Sequence, residues 1–171
     1  FHGAVAAGIL GVGSVILGSA DVAGDMLDDA ATRIESGASP EDAALEIARE
    51  YKSAGKFIPS FGHPIHHPVD PRAVRILELA DERQVSGRHV NALRAFPAAI
   101  EEVWGKPLPM NLQGPMAAVL LDLDFPKAAI RGIPILARTI GLIGHLNEEI
   151  ERPIGFLLAH HGEEAIEYDG E

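Results

Sequence analysis

Apolar residues recur three or four positions apart along most of the chain, which is the spacing of one face of an α-helix. Residues 25–36 show this spacing, and Gly37 follows them as a stop signal. Ser39 then supplies an N-cap residue and Pro40 the first helical position, with acidic residues directly behind them. The pattern predicts one helix over 25–36 and a second that begins at Pro40.

Asp70 and Pro71 repeat the same start signal ahead of another apolar run. Further helices are predicted from Ser86 to Val103, over 114–123 and over 133–150. No stretch alternates apolar and polar residues between hairpin turns. The predicted fold class is therefore all-α.

The chain begins with an uncharged stretch, Gly3 to Ala20, whose 18 residues reach the lower length limit of a membrane-spanning helix. Five glycines make the stretch only weakly hydrophobic, and acidic residues follow from Asp21. A buried helix packed closely against its neighbours is favoured over a membrane span. We therefore expect no membrane partner.

Composition and charge exclude several classes of partner and site. The chain has 171 residues, of which 47% are hydrophobic and 23% charged, as in ordinary globular domains. Lys and Arg number 14 against 25 Asp and Glu, and the net charge of −11 argues against nucleic acid as a partner. The absence of Cys excludes disulfides, thiolate metal sites and cysteine nucleophiles. No secretory signal is visible, so we expect a cytoplasmic location.

Two irregular stretches, 55–68 and 105–111, interrupt the helical pattern, and the polar tail from His160 is expected to be loosely ordered. The first stretch ends in a cluster of three histidines, His63, His66 and His67. These could ligate a metal together with His2, Asp70 or a glutamate, because imidazole is a common ligand. They could also form an exposed polar loop, or a histidine site beside an anion-binding Arg72. A metal-binding helical domain therefore remains an alternative.

The loop has a specific resemblance. The run Phe61-Gly62-His63, followed nine residues after the histidine by Arg72 within Asp70-Pro71-Arg72, resembles the Gly-His to Asp-Pro-Arg loop of the citrate synthase superfamily. Residues 137–145 and 151–155 resemble the family's arginine helix and its terminal Arg-Pro element. Phe1-His2-Gly3 is similar to the Leu-His-Gly segment that carries the family's first catalytic histidine. The three motifs come in the family's order.

This resemblance covers the chain as the C-terminal two-thirds of a family member. The Gly- and Ala-rich residues 6–13, together with 117–126, look closer to the short citryl-CoA lyase-like branch. The family implies a two-domain, all-helical fold in an intertwined homodimer. Residues 1–20 would form a junction helix with a catalytic histidine, 21–125 the small CoA-binding domain, and 126–171 the C-terminal part of the large domain.

The resemblance also implies an activity: Claisen condensation, or the reverse cleavage, between an acyl-CoA enolate and a keto acid such as oxaloacetate. His2 matches the donor that stabilises the enolate oxygen, and His63 the group that polarises the keto carbonyl. Arg72 and Arg138 match the residues that bind substrate carboxylates, and Arg152 matches the arginine supplied by the partner subunit. Guanidinium suits this task because it binds carboxylates in a bidentate way.

Coenzyme A enters as a substrate thioester, and no tightly bound cofactor is expected. The approach to the Gly-His loop lies against the adenine and phosphates in the family. The family has a basic residue between the Gly-His loop and Asp-Pro-Arg, and this chain has His67 there. A histidine at this position would make phosphate binding weaker and pH-sensitive. The residues implied in CoA binding are Lys56, Phe57, Ile58, Pro59, Phe61, Gly62 and His67.

One departure affects the activity directly. Where the family has its carboxylate base in an Asn-Val-Asp-Gly segment, this chain has Asn111-Leu112-Gln113-Gly114. A glutamine is neutral and cannot exchange a proton at physiological pH. Three interpretations stay open: an enzyme with a substitute base or a substrate that needs none, a slow enzyme, or a CoA-ester-binding protein without turnover.

Overall fold

In a computed structural model the described part of the chain consists of helices joined by loops, without strands, so the predicted all-α fold class is confirmed. The structure describes residues 1–17 and 19–170, and for residues 14–16 it describes the backbone only. Gly18, part of the uncharged N-terminal stretch, lies outside this description. The helices are α1 (His2–Leu17), α2 (Ser19–Glu35), α3 (Pro40–Ser53), α4 (Pro71–Glu82), α5 (Arg88–Trp104), α6 (Gln113–Asp122), α7 (Gly132–Glu151) and α8 (Gly155–Ala165).

The chain divides into two compact units. The terminal unit consists of residues Phe1–Gly13 and Ile135–Glu171, and the central unit is Ser14–Pro134. The chain passes from the terminal to the central unit inside α1, directly after Gly13, whose φ of 57° and ψ of −164° interrupt the helix. The three-part division implied by the family resemblance stays a prediction.

The central unit has a well-packed core. Helix α5 packs against α3, α2 and α6, and α2 also packs against α3 and α6. Because aromatics are few, this core consists mainly of aliphatic side chains and Phe96. Its largest fully buried apolar side chains include Leu27, Ile47, Leu93, Phe96 and Ile100.

Two of the predicted helix starts are confirmed in detail. The Ser39 hydroxyl accepts from the backbone N–H of Asp42 at 3.0 Å, and the Asp70 carboxylate accepts from the N–H of Arg72 at 3.0 Å. Both caps are local, so the sequence is sufficient to predict them.

The predicted start of α5 at Ser86 is wrong. The helix begins at Arg88 with Gly87 as its N-cap residue, which offers no side-chain acceptor. The acceptor comes instead from Asp122 at the end of α6, whose buried carboxylate binds the N–H groups of Gly87, His89 and Val90. A cap supplied from 35 residues away leaves no local signal in the sequence.

The terminal unit is packed less densely. Small residues let α1 approach α7 closely, since a Cβ on Gly8 would lie 2.9 Å from a methyl carbon of Leu142. Most side chains of α1 before Gly13 are exposed in the single chain, so full burial of this helix stays a prediction for the assembled protein. The tail expected to be loosely ordered instead continues as α8 to Ala165.

A helix with the length and composition of a membrane span is present among the described residues. It covers Lys127–Glu151, with a mean hydropathy of 1.2 in its most apolar window, of which 11% is buried. The stretch includes polar residues such as Arg138 and His145. The expectation of no membrane partner stays a prediction.

Candidate active site

The site loop of the central unit is paired with the segment that leads into α6. Phe61 and Met110 form an isolated antiparallel β-bridge. On either side of it, Gly62 N–H donates to the Pro109 carbonyl and Asn111 N–H to the Ser60 carbonyl, both at 2.8 Å. Gly62 has a φ of 95°, a conformation that favours glycine. This pairing brings the His63 loop and residue 113 into one region.

His63 is oriented by its own loop. Its Nδ1 accepts from the backbone N–H groups of Ile65 at 3.1 Å and His66 at 3.0 Å. Burial, followed by the nearby His66, lowers the pKa of His63 below its usual value, so the ring is neutral near pH 7. A neutral histidine whose Nδ1 accepts carries its proton on Nε2.

That Nε2 faces Arg72, with only 3.1 Å to the Arg72 Nη2 atom. With the proton assigned to Nε2 in this way, both groups are donors and neither satisfies the other. An oxygen atom that accepts from both would resolve this arrangement. The geometry therefore fits a carbonyl or carboxylate oxygen of a ligand, as expected for a keto acid.

Asp70 fixes the orientation of Arg72. Its fully buried carboxylate accepts from the Arg72 Nε at 2.9 Å and Nη2 at 2.8 Å, besides the helix-capping N–H. Hydrogen bonds from Arg72 are the main cause that lowers the pKa of Asp70 to about 2, and Asp70 in turn raises the pKa of Arg72. Within the described residues nothing accepts from Arg72 Nη1, which leaves that edge for a ligand carboxylate.

Gln113 is the first residue of α6 and lies in the segment that the same network holds. Asp70 also accepts from Leu112 N–H at 3.2 Å, and the Asn111 Oδ1 accepts from Gln113 N–H at 3.0 Å. The Gln113 Oε1 is buried and has no hydrogen-bond partner among the described residues. Asp70 thus links the segment of Gln113 to Arg72, and at position 113, where the resemblance implies a carboxylate base, the chain has an amide.

The other implied site residues belong to the terminal unit. His2 begins α1, Arg138 lies on α7 and Arg152 follows α7, and all three are exposed. Neither arginine forms an ion pair within the part of the chain that the structure describes. Arg152 lines a pocket of about 540 Å³, together with His145, Glu148, Glu149, Ile154 and Leu158.

The residues implied in CoA binding fall into two groups. Lys56 and His67 are exposed, as is Phe57 at 98%, whereas Pro59 and Gly62 are half-buried. Ile58 and Phe61 belong to the buried core, with the Phe61 ring 6.1 Å from that of Phe96. A ligand could meet the buried pair only through their backbone. A groove of about 430 Å³ lies nearby, lined by His67, Pro68, Pro107, Leu108 and Pro109.

A metal centre would compete with this network. Ligand atoms of His63, His66 and Asp70 lie within 4.8 Å of one another, and His67 is not part of the group. However, each Asp70 oxygen already accepts two hydrogen bonds, and the His63 Nδ1 accepts two backbone N–H groups. A cation would have to displace Arg72 and part of the loop. The donor set fits an anion better than a metal.

Sequence reasoning missed two features of this site. Asn111 was seen only as part of a motif, although its side chain also donates to the Gly62 carbonyl at 3.0 Å. An Asn two residues before a helix start is a signal for such a turn. Ser60 is 97% buried with a φ of 72° and a hydroxyl without a partner among the described residues. No sequence signal points to its conformation.

Comparison with known proteins agrees with this geometry. The model of the family described as citrate synthase, C-terminal domain, matches residues 1–154. Among solved structures, the chain is similar to a citryl-CoA lyase from Hydrogenobacter thermophilus, with a TM-score of 0.79 and 30% sequence identity. The match covers 98% of this chain and 62% of that one, so the chain spans less than two thirds of this relative. A comparison with curated protein sequences gives no match.

Proposed function

Because the chain belongs to the citrate synthase family, we propose that it acts on a CoA thioester and a keto acid, by condensation or by the reverse cleavage. The family resemblance drawn from the motifs is confirmed, and membership in this family supports a CoA-dependent condensing or cleaving activity. The finer activity that we propose is citryl-CoA cleavage, or formation of citrate from acetyl-CoA and oxaloacetate. The 62% coverage of the citryl-CoA lyase structure makes this a proposal for the whole protein.

The observation that carries this proposal is the pair of donors at His63 Nε2 and Arg72 Nη2, only 3.1 Å apart. A keto oxygen placed there accepts from both, which stabilises the negative charge that develops on it during carbon–carbon bond formation. In the cleavage direction the substrate hydroxyl first gives up its proton to solvent, and the same two donors stabilise the resulting alkoxide, whose oxygen becomes the keto oxygen as the bond breaks. The electron pair of that bond then passes to the thioester enolate, whose oxygen His2 would stabilise.

Substrate carboxylates are assigned to the arginines. Arg72 offers its Nη1 edge, and Arg138 and Arg152 are exposed side chains with no internal partner among the described residues. In this proposal Arg152 serves the site of a partner subunit in a homodimer. Large exposed apolar residues along α7 and α8 support such an interface: Leu136, Ile140, Ile143, Ile150, Phe156 and Leu158.

A second candidate function is favoured by Gln113. By resemblance Gln113, whose Oε1 is buried, matches the position of the family's base, and general base catalysis typically contributes a factor of about 10² to 10⁴ in rate. A homologue that binds CoA esters without efficient turnover would keep the donors at His63 and Arg72 and lose only this step. Either function needs no tightly bound cofactor and fits a cytoplasmic location.

One experiment separates the two candidates. Citryl-CoA cleavage and acetyl-CoA plus oxaloacetate condensation are assayed on the full-length protein, with calorimetric titration of the same ligands. Turnover supports the enzyme, and binding without turnover supports the impaired homologue. If neither CoA esters nor keto acids bind, both proposals are wrong.

The role of position 113 is tested by Gln113→Asp. The variant should gain deuterium wash-in at the α-carbon of acetyl-CoA, measured by NMR, because exchange needs only a base and an enolate donor. Adding His2→Ala should remove the gain. Fast exchange in the native protein would show that another base already operates.

A further inference from the structure

Asn111 contacts both halves of the site with a single side chain. Its Nδ2 donates to the carbonyl of Gly62, the residue before His63, at 3.0 Å. Its Oδ1 accepts from the N–H of Gln113 at 3.0 Å. Its backbone N–H donates to the Ser60 carbonyl at 2.8 Å. One amide therefore joins the peptide groups next to the two positions where chemistry is proposed.

We propose that Asn111 is a positioning residue that sets the distance between His63 and the side chain at position 113. This inference rests on the proposed function, because it concerns the same site. Asn111 touches neither reacting group itself, and it acts only through the backbone on each side. Its importance follows from how little else fixes this distance.

The other contacts between the two segments do not fix the distance between His63 and position 113. Asp70 accepts from Leu112 N–H at 3.2 Å, but its hydrogen bonds in the loop go to Arg72 rather than to His63. The β-bridge between Phe61 and Met110 ends before both site positions. Helix α6 has no side-chain cap from its N-cap residue Leu112, so Asn111 supplies the acceptor for its first N–H. Among the described side chains, Asn111 alone forms hydrogen bonds with both Gly62 and Gln113.

The chemistry of the amide explains why asparagine serves here. The side chain at position 111 must donate to the Gly62 carbonyl and accept from the Gln113 N–H at the same time. A single amide group carries both a donor and an acceptor. Alanine loses both contacts. Serine keeps an acceptor for the Gln113 N–H, because Ser and Asn side chains both bind the N–H two residues ahead. The serine side chain is too short to reach the Gly62 carbonyl. Asn111→Ala and Asn111→Ser therefore separate the two contacts without adding charge.

The first measurement uses glutamine labelling of the full-length protein. Within these 171 residues the glutamines are Gln113 and the exposed Gln84, so ¹⁵N-glutamine labelling reports on both backbone amides. The Gln113 signal is identified by its loss in Gln113→Asp, and Gln84 serves as the internal reference. We expect hydrogen exchange of the Gln113 amide to be slowed in the native protein and in Asn111→Ser, and to speed up at least tenfold in Asn111→Ala. The Gln84 signal should not change. Asn91, an exposed asparagine on α5, supplies the matched control Asn91→Ala.

The second measurement tests the distance between His63 and the side chain at position 113 through the rate of α-proton exchange. In the Gln113→Asp background, both Asn111 variants should lower α-proton exchange of acetyl-CoA by about tenfold to a hundredfold, because misplacement by about 1 Å has effects of this size. Calorimetric affinities for acetyl-CoA and oxaloacetate should stay within twofold. A purely structural role would instead lower affinity and exchange together. If Gln113→Asp shows no exchange, the labelling measurement alone decides.

Two results would overturn the inference. One is a Gln113 amide that exchanges equally fast in the native protein and in Asn111→Ala. The other is unchanged α-proton exchange in Asn111→Ser despite the lost Gly62 contact. If Asn111→Ala does not fold, Asn111→Ser carries the test. The labelling measurement needs no ligand, so failure to bind CoA esters would contradict the proposed function and leave the inference on Asn111 to be judged separately.

Discussion

The two units of the chain hold their site residues in opposite ways. In the central unit, Arg72 and Gln113 are tied by buried Asp70 and by Asn111 into one hydrogen-bonded network. In the terminal unit, the side chains of His2, Arg138 and Arg152 are exposed and form no ion pair among the described residues. Within the central unit, Arg72 and Gln113 are held in place by contacts of this chain alone. The three residues of the terminal unit have no comparable hydrogen-bonded network among the described residues.

The largest expected effect lies on the central side. Asp70→Ala removes the acceptor of four hydrogen bonds and leaves Arg72 without its partner. We expect the free energy of unfolding to fall by about 2–4 kcal/mol, measured by urea denaturation, because the cap of α4 and the acceptor of the Leu112 N–H are both lost. Arg138→Ala on the exposed face of α7 should change it by less than about 0.5 kcal/mol. Equal losses in the two variants would contradict the contrast between the units.

For ligand binding, unlike for stability, we expect an arginine of each unit to contribute. Arg72→Ala and Arg138→Ala should each weaken oxaloacetate binding by about 2–4 kcal/mol in calorimetric titration, because a charged hydrogen-bond partner of the ligand is lost. Arg75→Ala is the control, since Arg75 lies on the same helix as Arg72 and pairs with Glu78 and Glu82 at the surface. Unchanged affinity in both variants would reduce Arg72 and Arg138 to structural roles.

Acid should weaken the central unit in a defined pH range. The pKa of Asp70 is about 2 in the folded protein, below its ordinary value of 3.8, so its stabilising effect is complete above about pH 4. Stability should fall by about 2 kcal/mol as pH drops from about 4 to 2, because the unfolded chain then binds the proton more readily. Asp70→Asn should flatten the stability profile over this range. An identical slope in native and variant protein would be inconsistent with this assignment.

The smallest expected effect concerns packing at the start of α6. A Cβ on Gly114 would lie 2.8 Å from the Ser60 Cβ, so Gly114→Ala should destabilise the protein. Ser60→Gly relieves a left-handed φ of 72° and should raise the stability by about 0.5–1 kcal/mol in thermal unfolding. The double variant should recover part of the loss from Gly114→Ala. Strict additivity of the two changes would show that Ser60 and Gly114 do not contact each other.

Local signals in the sequence predicted a large part of this molecule. The starts at Pro40 and Pro71 were correct because the capping residues Ser39 and Asp70 lie directly before them. The loop motif around His63 and Arg72 predicted the family, which is confirmed. The roles assigned to the individual site residues stay predictions.

What the sequence did not predict depends on contacts between distant residues. The second function of Asp70, as acceptor for Leu112, joins positions 42 residues apart. The same holds for the contact of Asn111 with Gly62, across 49 residues. Ser60 adopts a backbone conformation that its residue type does not favour, because surrounding packing determines it. Helical periodicity and capping rules describe neighbours along the chain, so none of these features was within their reach.

The cap of α5 has a consequence for biosynthesis. Asp122 provides the acceptor for the first turn of this helix and also binds the Nδ1 of buried His89 at 2.8 Å. A chain emerging from the ribosome contains all of α5 before Asp122 has been added. The first turn of α5 therefore obtains its acceptor only when α6 is complete. Nascent chains that stop before Asp122 should fray at Gly87 and expose His89, which makes the end of α6 the point at which the central unit closes.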